Sequence, residues 1–216
     1  MLLSEEGKNS QTDTFLKPEP FSPSMRIIDQ AEFNLNRSKV YREIKKGAVF
    51  IHPTDTIYGI GCDATNGAAV QRLREIKGRY AKPLLVMAPS KEWVKENCAV
   101  PKQAEQWLSK WPGSHTLILG LKNKGCIAKE VNKGEDSLGV RMPDHWFRQA
   151  ATELDIPIVS TSANLAGEEF MTSLDDLDQG IRAKIDFAVY EGEKRGHPST
   201  LMDFTAAKVR VTERKR

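Results

Sequence analysis

This chain of 216 residues has no uninterrupted apolar run of about 18 residues, which excludes a membrane-spanning helix. Its first residues lack the apolar core of a secretory signal, so a cytoplasmic protein with no membrane partner is expected. Cysteine is scarce: Cys62, Cys98 and Cys126 lie far apart and form no Cys-x-x-Cys pair, arguing against a zinc site or a disulfide framework and for reduced, packed thiols. The four histidines, His52, His115, His145 and His197, stand at no metal-ligand spacing and read as hydrogen-bonded structural residues. Also absent are the Gly-x-x-x-x-Gly-Lys-Ser/Thr loop and the Gly-x-Ser-x-Gly elbow, which removes the commonest nucleotide-hydrolase and esterase readings. Strong charge of one sign is missing too. A net charge of +3 demands no nucleic-acid partner, although clustered Lys and Arg can still bind phosphates locally.

What is present fits one compact domain, since 216 residues at 39% hydrophobic content can bury one good core but hardly two. Residues 1–24 are polar, carry Pro18, Pro20 and Pro23 and show no periodicity; a flexible tail is expected there, before a domain over 25–216, with Met25 a candidate start. Beyond Arg26, helices and strands alternate. Helical spacing covers 34–46, with apolar Leu35, Val40 and Ile44 and a closing Gly47, and then 68–76, 91–97, 102–110, 145–154 and 174–181. Strands are expected over 48–51, 83–87, 116–120, 138–141, 156–160, 187–190 and 199–203. The pattern is that of an α/β domain, a sheet flanked by helices.

Five constellations stand at junctions of strands with loops. Pro53-Thr54-Asp55-Thr56-Ile57-Tyr58-Gly59-Ile60-Gly61 ends an apolar strand in hydroxyls, an acid and two glycines, which would let backbone amides approach a small molecule. Lys77-Gly78-Arg79, with Lys82 three residues on, suits a polyphosphate, Arg as a planar fork and Lys as a mobile charge; alone it reads first as a solvated basic loop, and its position beside the Thr/Tyr/Gly turn is what favours the phosphate. Ser160-Thr161-Ser162-Ala163-Asn164 after an apolar strand offers neutral donors and acceptors, or an ordinary Ser/Asn turn. Arg141, delivered just before Pro143, would anchor a carboxylate or pair with a structural acid. Gly196-His197-Pro198-Ser199-Thr200 adds two more hydroxyls in a turn.

In this order, Pro-Thr-Asp-Thr-Ile-Tyr-Gly, Lys-Gly-Arg, Trp111-Pro112-Gly113, Gly-Val-Arg-Met-Pro-Asp-His, Ser-Thr-Ser-Ala-Asn and Pro-Ser-Thr resemble the YrdC family from about Ile27 to Asp203. The resemblance implies a single three-layer domain, α/β or in stricter terms α+β, with a large twisted mixed sheet flanked by helices. It implies a threonylcarbamoyl-AMP synthase that joins L-threonine, bicarbonate and ATP into L-threonylcarbamoyladenylate and pyrophosphate. The product would feed a tRNA threonylcarbamoyl transferase acting on the adenosine beside the anticodon, with Mg²⁺ carried in on ATP and direct tRNA contact an open possibility.

Carried onto this sequence, the family's threonine and bicarbonate contacts fall at Thr56, Arg141, Ser162 and Ser199. Its polyphosphate pair falls at Lys77 and Arg79, which would act in catalysis, and its other ATP contacts at Lys82, Ser137, Asn164 and Thr172. Tyr80 stands where many relatives have Pro, and Ser114-His115 replace the usual Pro-Leu or Pro-Val. The family's closing Arg-Pro-Gly is missing, and Arg214 is the nearest match to its Arg. The chain resembles the short form that lacks a further C-terminal domain. Two other readings are a non-catalytic module binding double-stranded RNA or tRNA, which has no use for a neutral Thr/Ser/Asn pocket, and a carbamoyl-adenylate enzyme of hydrogenase maturation, which is larger and carries zinc-finger cysteines.

Overall fold

The computed structural model describes residues 25–213; the expected tail over 1–24 and Arg214 lie outside the described residues. The chain opens with β1 (Arg26–Ile28), α1 (Gln30–Leu35) and α2 (Arg37–Lys45). The spacing over 34–46 predicts one helix, but α1 starts earlier because the Asp29 carboxylate caps it, accepting from the Glu32 N–H at 2.7 Å, and Asn36 separates it from α2. Val40 and Ile44 are buried as expected, whereas Leu35 points to solvent. Next come β2 (Phe50–His52), β3 (Gly59–Gly61) and α3 (Gly67–Lys77). Helix α3 is capped by Asn66, which accepts from the Ala69 N–H, and stops at Gly78, whose φ of +60° lies in the left-handed region that ends helices.

The chain continues through β4 (Leu85–Met87), α4 (Lys91–Asn97), β5 (Cys98–Ala99), α5 (Lys102–Ser109), β6 (His115–Leu121), α6 (Lys129–Asn132) and β7 (Ser137–Arg141). It then forms α7 (Gln149–Leu154), β8 (Ile158–Val159), β9 (Thr161–Ser162), α8 (Gln179–Arg182), β10 (Phe187–Val189), β11 (Thr200–Asp203) and β12 (Arg210–Thr212). The helix expected over 145–154 begins as a 3₁₀ turn, Trp146–Arg148, that runs into α7, whereas the one expected over 174–181 is divided: a 3₁₀ turn, Leu174–Asp176, ends at extended Leu177, and Asp178 caps α8 afresh.

Helices and mixed sheets alternate as the sequence pattern requires, but the strands divide between two sheets rather than one. The first runs β1-β10-β2-β3-β9 and the second β12-β11-β6-β7-β4-β8, with β5 added beside β6. The division turns on residues 158–162. Ile158 and Val159 pair antiparallel with β4, while Thr161 and Ser162 pair antiparallel with β3 in the other sheet. The run over 156–160, which reads as one strand, therefore changes sheets at Ser160, whose N–H donates to the Leu85 carbonyl at 2.9 Å.

Alternation along β2 sends Val49 and Ile51 into a core shared with α3 and the second sheet, and Phe50 to the opposite face among Phe33, Ile44, Phe147 and Phe187. The Phe50 and Phe187 rings stack at 5.1 Å. The first sheet is thus covered on both faces, which holds its edge residues rigidly beside the second sheet. No helix among the described residues is long and apolar enough to cross a membrane.

Candidate functional site

Where the two sheets join, a cleft of ≈ 480 Å³, counting its open mouth, is lined by the 54–59 turn, β4, Thr116, Arg141, the 160–162 crossover and Ser199. Its wall is built by a self-contained turn. The Thr54 hydroxyl donates to the Ile57 carbonyl (2.7 Å) and accepts from the N–H groups of Thr56 (3.1 Å) and Ile57 (3.2 Å). With the Thr54 proton so used, the Thr56 hydroxyl is the donor in the 3.0 Å bond between the two side chains. Arg141 Nη1 donates to Thr56 Oγ1 at 3.0 Å, and Arg141 also pairs with Asp55 and donates from Nε to the Gly113 carbonyl. Both readings of Arg141 therefore hold: it has a structural acid and it lines the cleft, with two of its five N–H donors left over. Burial pushes its pKa down while Asp55 opposes the shift. Across the cleft, Ser199 is buried and its hydroxyl bonds that of Thr116 at 2.8 Å.

Gly59 and Gly61 serve a different purpose from the amide approach expected of them. Both lie within β3, and a Cβ at Gly59 would stand 2.8 Å from His52 Nε2, while one at Gly61 would stand 2.7 Å from the Val159 carbonyl. They make room for the fully buried His52 ring, stacked on Phe147 at 5.0 Å, whose pKa burial lowers to about 4.

A second, wider cleft of ≈ 920 Å³, again with its mouth, shares Ser162 with the first and is lined by Lys77, the 78–82 loop, Asn164, Ala166 and Gly167. Lys77 is almost wholly buried. Its Nζ donates to the main-chain carbonyl of Ser162, to that of Asn164 (2.6 Å) and to Asn164 Oδ1 (3.2 Å). Burial first, then the Arg79 charge, lowers its pKa to about 7. The Ser162 hydroxyl donates to the same Asn164 Oδ1 at 2.6 Å, and Asn164 Nδ2 donates to the Glu168 carbonyl, so the amide oxygen faces the cations. Arg79 donates from Nη2 to the Pro83 carbonyl at 2.9 Å, and its buried Nε has no partner.

The structure thus gathers Thr56, Arg141, Ser162 and Ser199 around one cleft, and Lys77, Arg79, Lys82, Ser162 and Asn164 around the other. Ser137 stands four residues back along β7 from Arg141 and lines a separate hollow with Gly120 and Phe204. Thr172 lines neither cleft; its hydroxyl donates to Asp176. Four residues were given no role of their own from sequence: Asp55, Thr116 and Ser160 at the first cleft, and Arg74 behind the second. Arg74 had a visible signal. Val70, Leu73, Arg74 and Lys77 fall at i, i+3, i+4 and i+7, placing two cations on the apolar stripe of α3.

Residues 42–214 match the Sua5/YciO/YrdC family model, described as telomere recombination. The chain belongs to this family. A curated relative from Xanthomonas axonopodis pv. citri (strain 306), named threonylcarbamoyl-AMP synthase, is 36% identical over 165 residues, which cover 74% of this chain and 87% of the relative. Among solved structures, P. abyssi Sua5 in complex with L-threonine is 29% identical with a TM-score of 0.77, covering 86% of this chain and 55% of that one. This family member therefore spans little more than half of Sua5. E. coli YciO, at 22% identity and a TM-score of 0.75, covers 88% of this chain and 94% of its own, a likeness of fold.

Proposed function

We propose that this chain is an L-threonylcarbamoyladenylate synthase, with threonine in the Thr56–Arg141 cleft and the phosphates of ATP in the Lys77–Arg79 cleft. The observation that carries the reading is that a small hydroxyl-lined cleft and a cation-lined one meet at Ser162. A relative named for this reaction and a family structure holding L-threonine support it. The threonine amine adds to bicarbonate, losing water, and gives a carbamate. A carbamate oxygen then attacks the α-phosphorus of ATP, and the bond to the bridging oxygen breaks to release pyrophosphate. Such a step needs no protein nucleophile. It needs reactants held in line and growing charge on the leaving phosphates neutralised.

In this reading, Arg141 receives the threonine carboxylate on its two remaining N–H donors. The Thr56 hydroxyl, its proton given to Thr54, keeps a lone pair for a substrate donor. Ser162 stands at the shared edge where the carbamate meets the α-phosphate. Arg79 donates to the β- and γ-phosphates, with Lys82 beside it, while Lys77, whose three N–H donors already go to Ser162 and Asn164, acts on them as a charge; Asn164 orients both Lys77 and Ser162 through its oxygen. Among the described residues no three His, Cys, Asp or Glu side chains gather to hold a metal, so Mg²⁺ would arrive on the ATP phosphates rather than in a protein cage. The adenylate would pass to a cytoplasmic tRNA threonylcarbamoyl transferase.

The test is pyrophosphate release from ATP, Mg²⁺ and bicarbonate with each amino acid in turn, with the adenylate identified by mass. Release that requires both threonine and bicarbonate is expected. No release with threonine, together with salt-sensitive binding of structured RNA, would overturn the proposal in favour of an RNA-binding module.

A further inference from the structure

We propose that Arg74 is the positioning residue of the polyphosphate cleft, fixing the loop that carries Arg79 and Lys82; the inference deepens the ATP assignment above and rests on it. Arg74 is completely buried. Its guanidinium makes four hydrogen bonds, all to main-chain carbonyls: Nε to Glu130 (2.7 Å), Nη1 to Arg79 (2.8 Å) and Lys82 (3.0 Å), and Nη2 to Val131 (3.0 Å). Two of these oxygens belong to α6 and two to the loop after α3. One nitrogen therefore ties both ends of the Arg79–Lys82 loop together while the rest of the fork is anchored on a separate element. Only a guanidinium offers that many coplanar donors; an ammonium has three on one atom and cannot span both elements.

Charge supports the same role. None of the four bonds goes to a carboxylate, and burial, then the Arg79 charge, lower the Arg74 pKa against the smaller opposing pull of the Glu130 carboxylate. A buried cation tied only to carbonyls adds positive potential beneath Lys77 and Arg79, where a polyanion would add the missing negative charge. Arg74 does not line the cleft, so it acts through the loop and through potential rather than by touching phosphate. A loop fixed in advance loses less freedom when ligand binds.

The test compares the wild-type protein with Arg74→Lys and Arg74→Gln, using inorganic tripolyphosphate as the binding probe in calorimetry and ATP and threonine as varied substrates. The dissociation constant for tripolyphosphate and the KM for ATP should each rise about tenfold or more, the range of lost charge-assisted bonds, while the KM for threonine stays within about twofold. In an Arg79→Ala/Lys82→Ala background, Arg74→Lys should change tripolyphosphate binding by less than about twofold, because the groups it positions are gone. Normal tripolyphosphate affinity in the folded fraction of both variants would overturn the inference, as would an equal loss in both backgrounds. A wild-type protein that binds tripolyphosphate yet releases no pyrophosphate with threonine would remove the synthase reading, and the binding arm would still decide the role of Arg74.

Discussion

If phosphates bind at Lys77, their binding must draw in a proton. Burial and Arg79 bring the Lys77 ammonium down from 10.5 to about 7, against three oxygens around Nζ that favour the charged form. The negative charge of phosphates beside Nζ would return the group toward its ordinary value. The shift of about 3.5 units corresponds to a linkage of roughly 5 kcal/mol at most, at 1.36 kcal/mol per unit. At pH 8, one unit above the free-state value, about a tenth of the free protein carries the Lys77 proton, so ATP binding should take up about 0.9 proton; at pH 6 the uptake should fall to about 0.1. Titration calorimetry in buffers of different ionisation enthalpy measures this directly, and at pH 8 the terminal phosphate, with a second pKa near 6, is already ionised. The dissociation constant for ATP should rise roughly tenfold for each unit of pH above 7 until the bound-state value is reached. Lys77→Arg, always charged, should bind with no uptake at pH 8. Buffer-independent heats for the wild-type protein at pH 8, or the same uptake in Lys77→Arg, would refute the reasoning.

The same group shapes stability. Its folded pKa lies below its unfolded one, so between about pH 7 and 10.5 the unfolded chain binds more protons, and this contribution to stability should increase with pH across that window; denaturant titrations on wild type and Lys77→Met, which should lack the trend, check it. Gly61→Ala places a Cβ 2.7 Å from the Val159 carbonyl and should lower stability by about 1–3 kcal/mol, whereas Gly78→Ala meets open space and should cost only about 1–2 kcal/mol for its left-handed backbone; a larger loss at Gly78 would contradict the packing account. Asp55→Asn leaves the partly buried Arg141 without its counter-charge and should destabilise by about 1–3 kcal/mol in urea unfolding, with the KM for threonine raised more than that for ATP. Gly196→Ala would set a Cβ 2.0 Å from the Thr56 carbonyl, so it should raise the KM for threonine while leaving tripolyphosphate binding unchanged.

Much of the architecture was legible because it follows local rules. Helix α4 begins after Ser90, whose hydroxyl accepts from the Trp93 N–H at 3.0 Å, and its bounds match the apolar spacing over 91–97. Strands β6 and β7 extend the expected runs by a residue or two. Short or two-sided elements were not legible. β3 contains two glycines, and nothing local shows that they yield space to a histidine on the neighbouring strand. The crossover at Ser160 was hidden because Ile158 and Thr161 belong to different sheets, a choice made by partners distant in sequence. At the site, the loops announced themselves through hydroxyl, glycine and cation content. The contacts between them did not: Arg141 finds Asp55 across 86 residues, and Arg74 finds Val131 across 57.

The two clefts also differ in how their charge is balanced, and the difference matches the proposed substrates. Arg141 enters the small cleft already paired with Asp55, so the two side chains together carry no net charge. That suits a free amino acid, itself zwitterionic, whose carboxylate can share the guanidinium without stripping a bare cation from water. Around the larger cleft, Arg74, Lys77 and Arg79 donate only to carbonyl and amide oxygens, and no carboxylate is among their hydrogen-bond partners. Burial lowers the pKa of all three as it does that of Arg141, but here no hydrogen-bonded carboxylate offsets the cost, so a multiply charged anion has the more to gain on arrival. The fold tolerates this because α3 carries Arg74 and Lys77, and Arg74 ties down the loop that carries Arg79. Ser162, on the short strand between the clefts, is where a neutral site gives way to a positive one, which is where a carbamate would have to meet a phosphate.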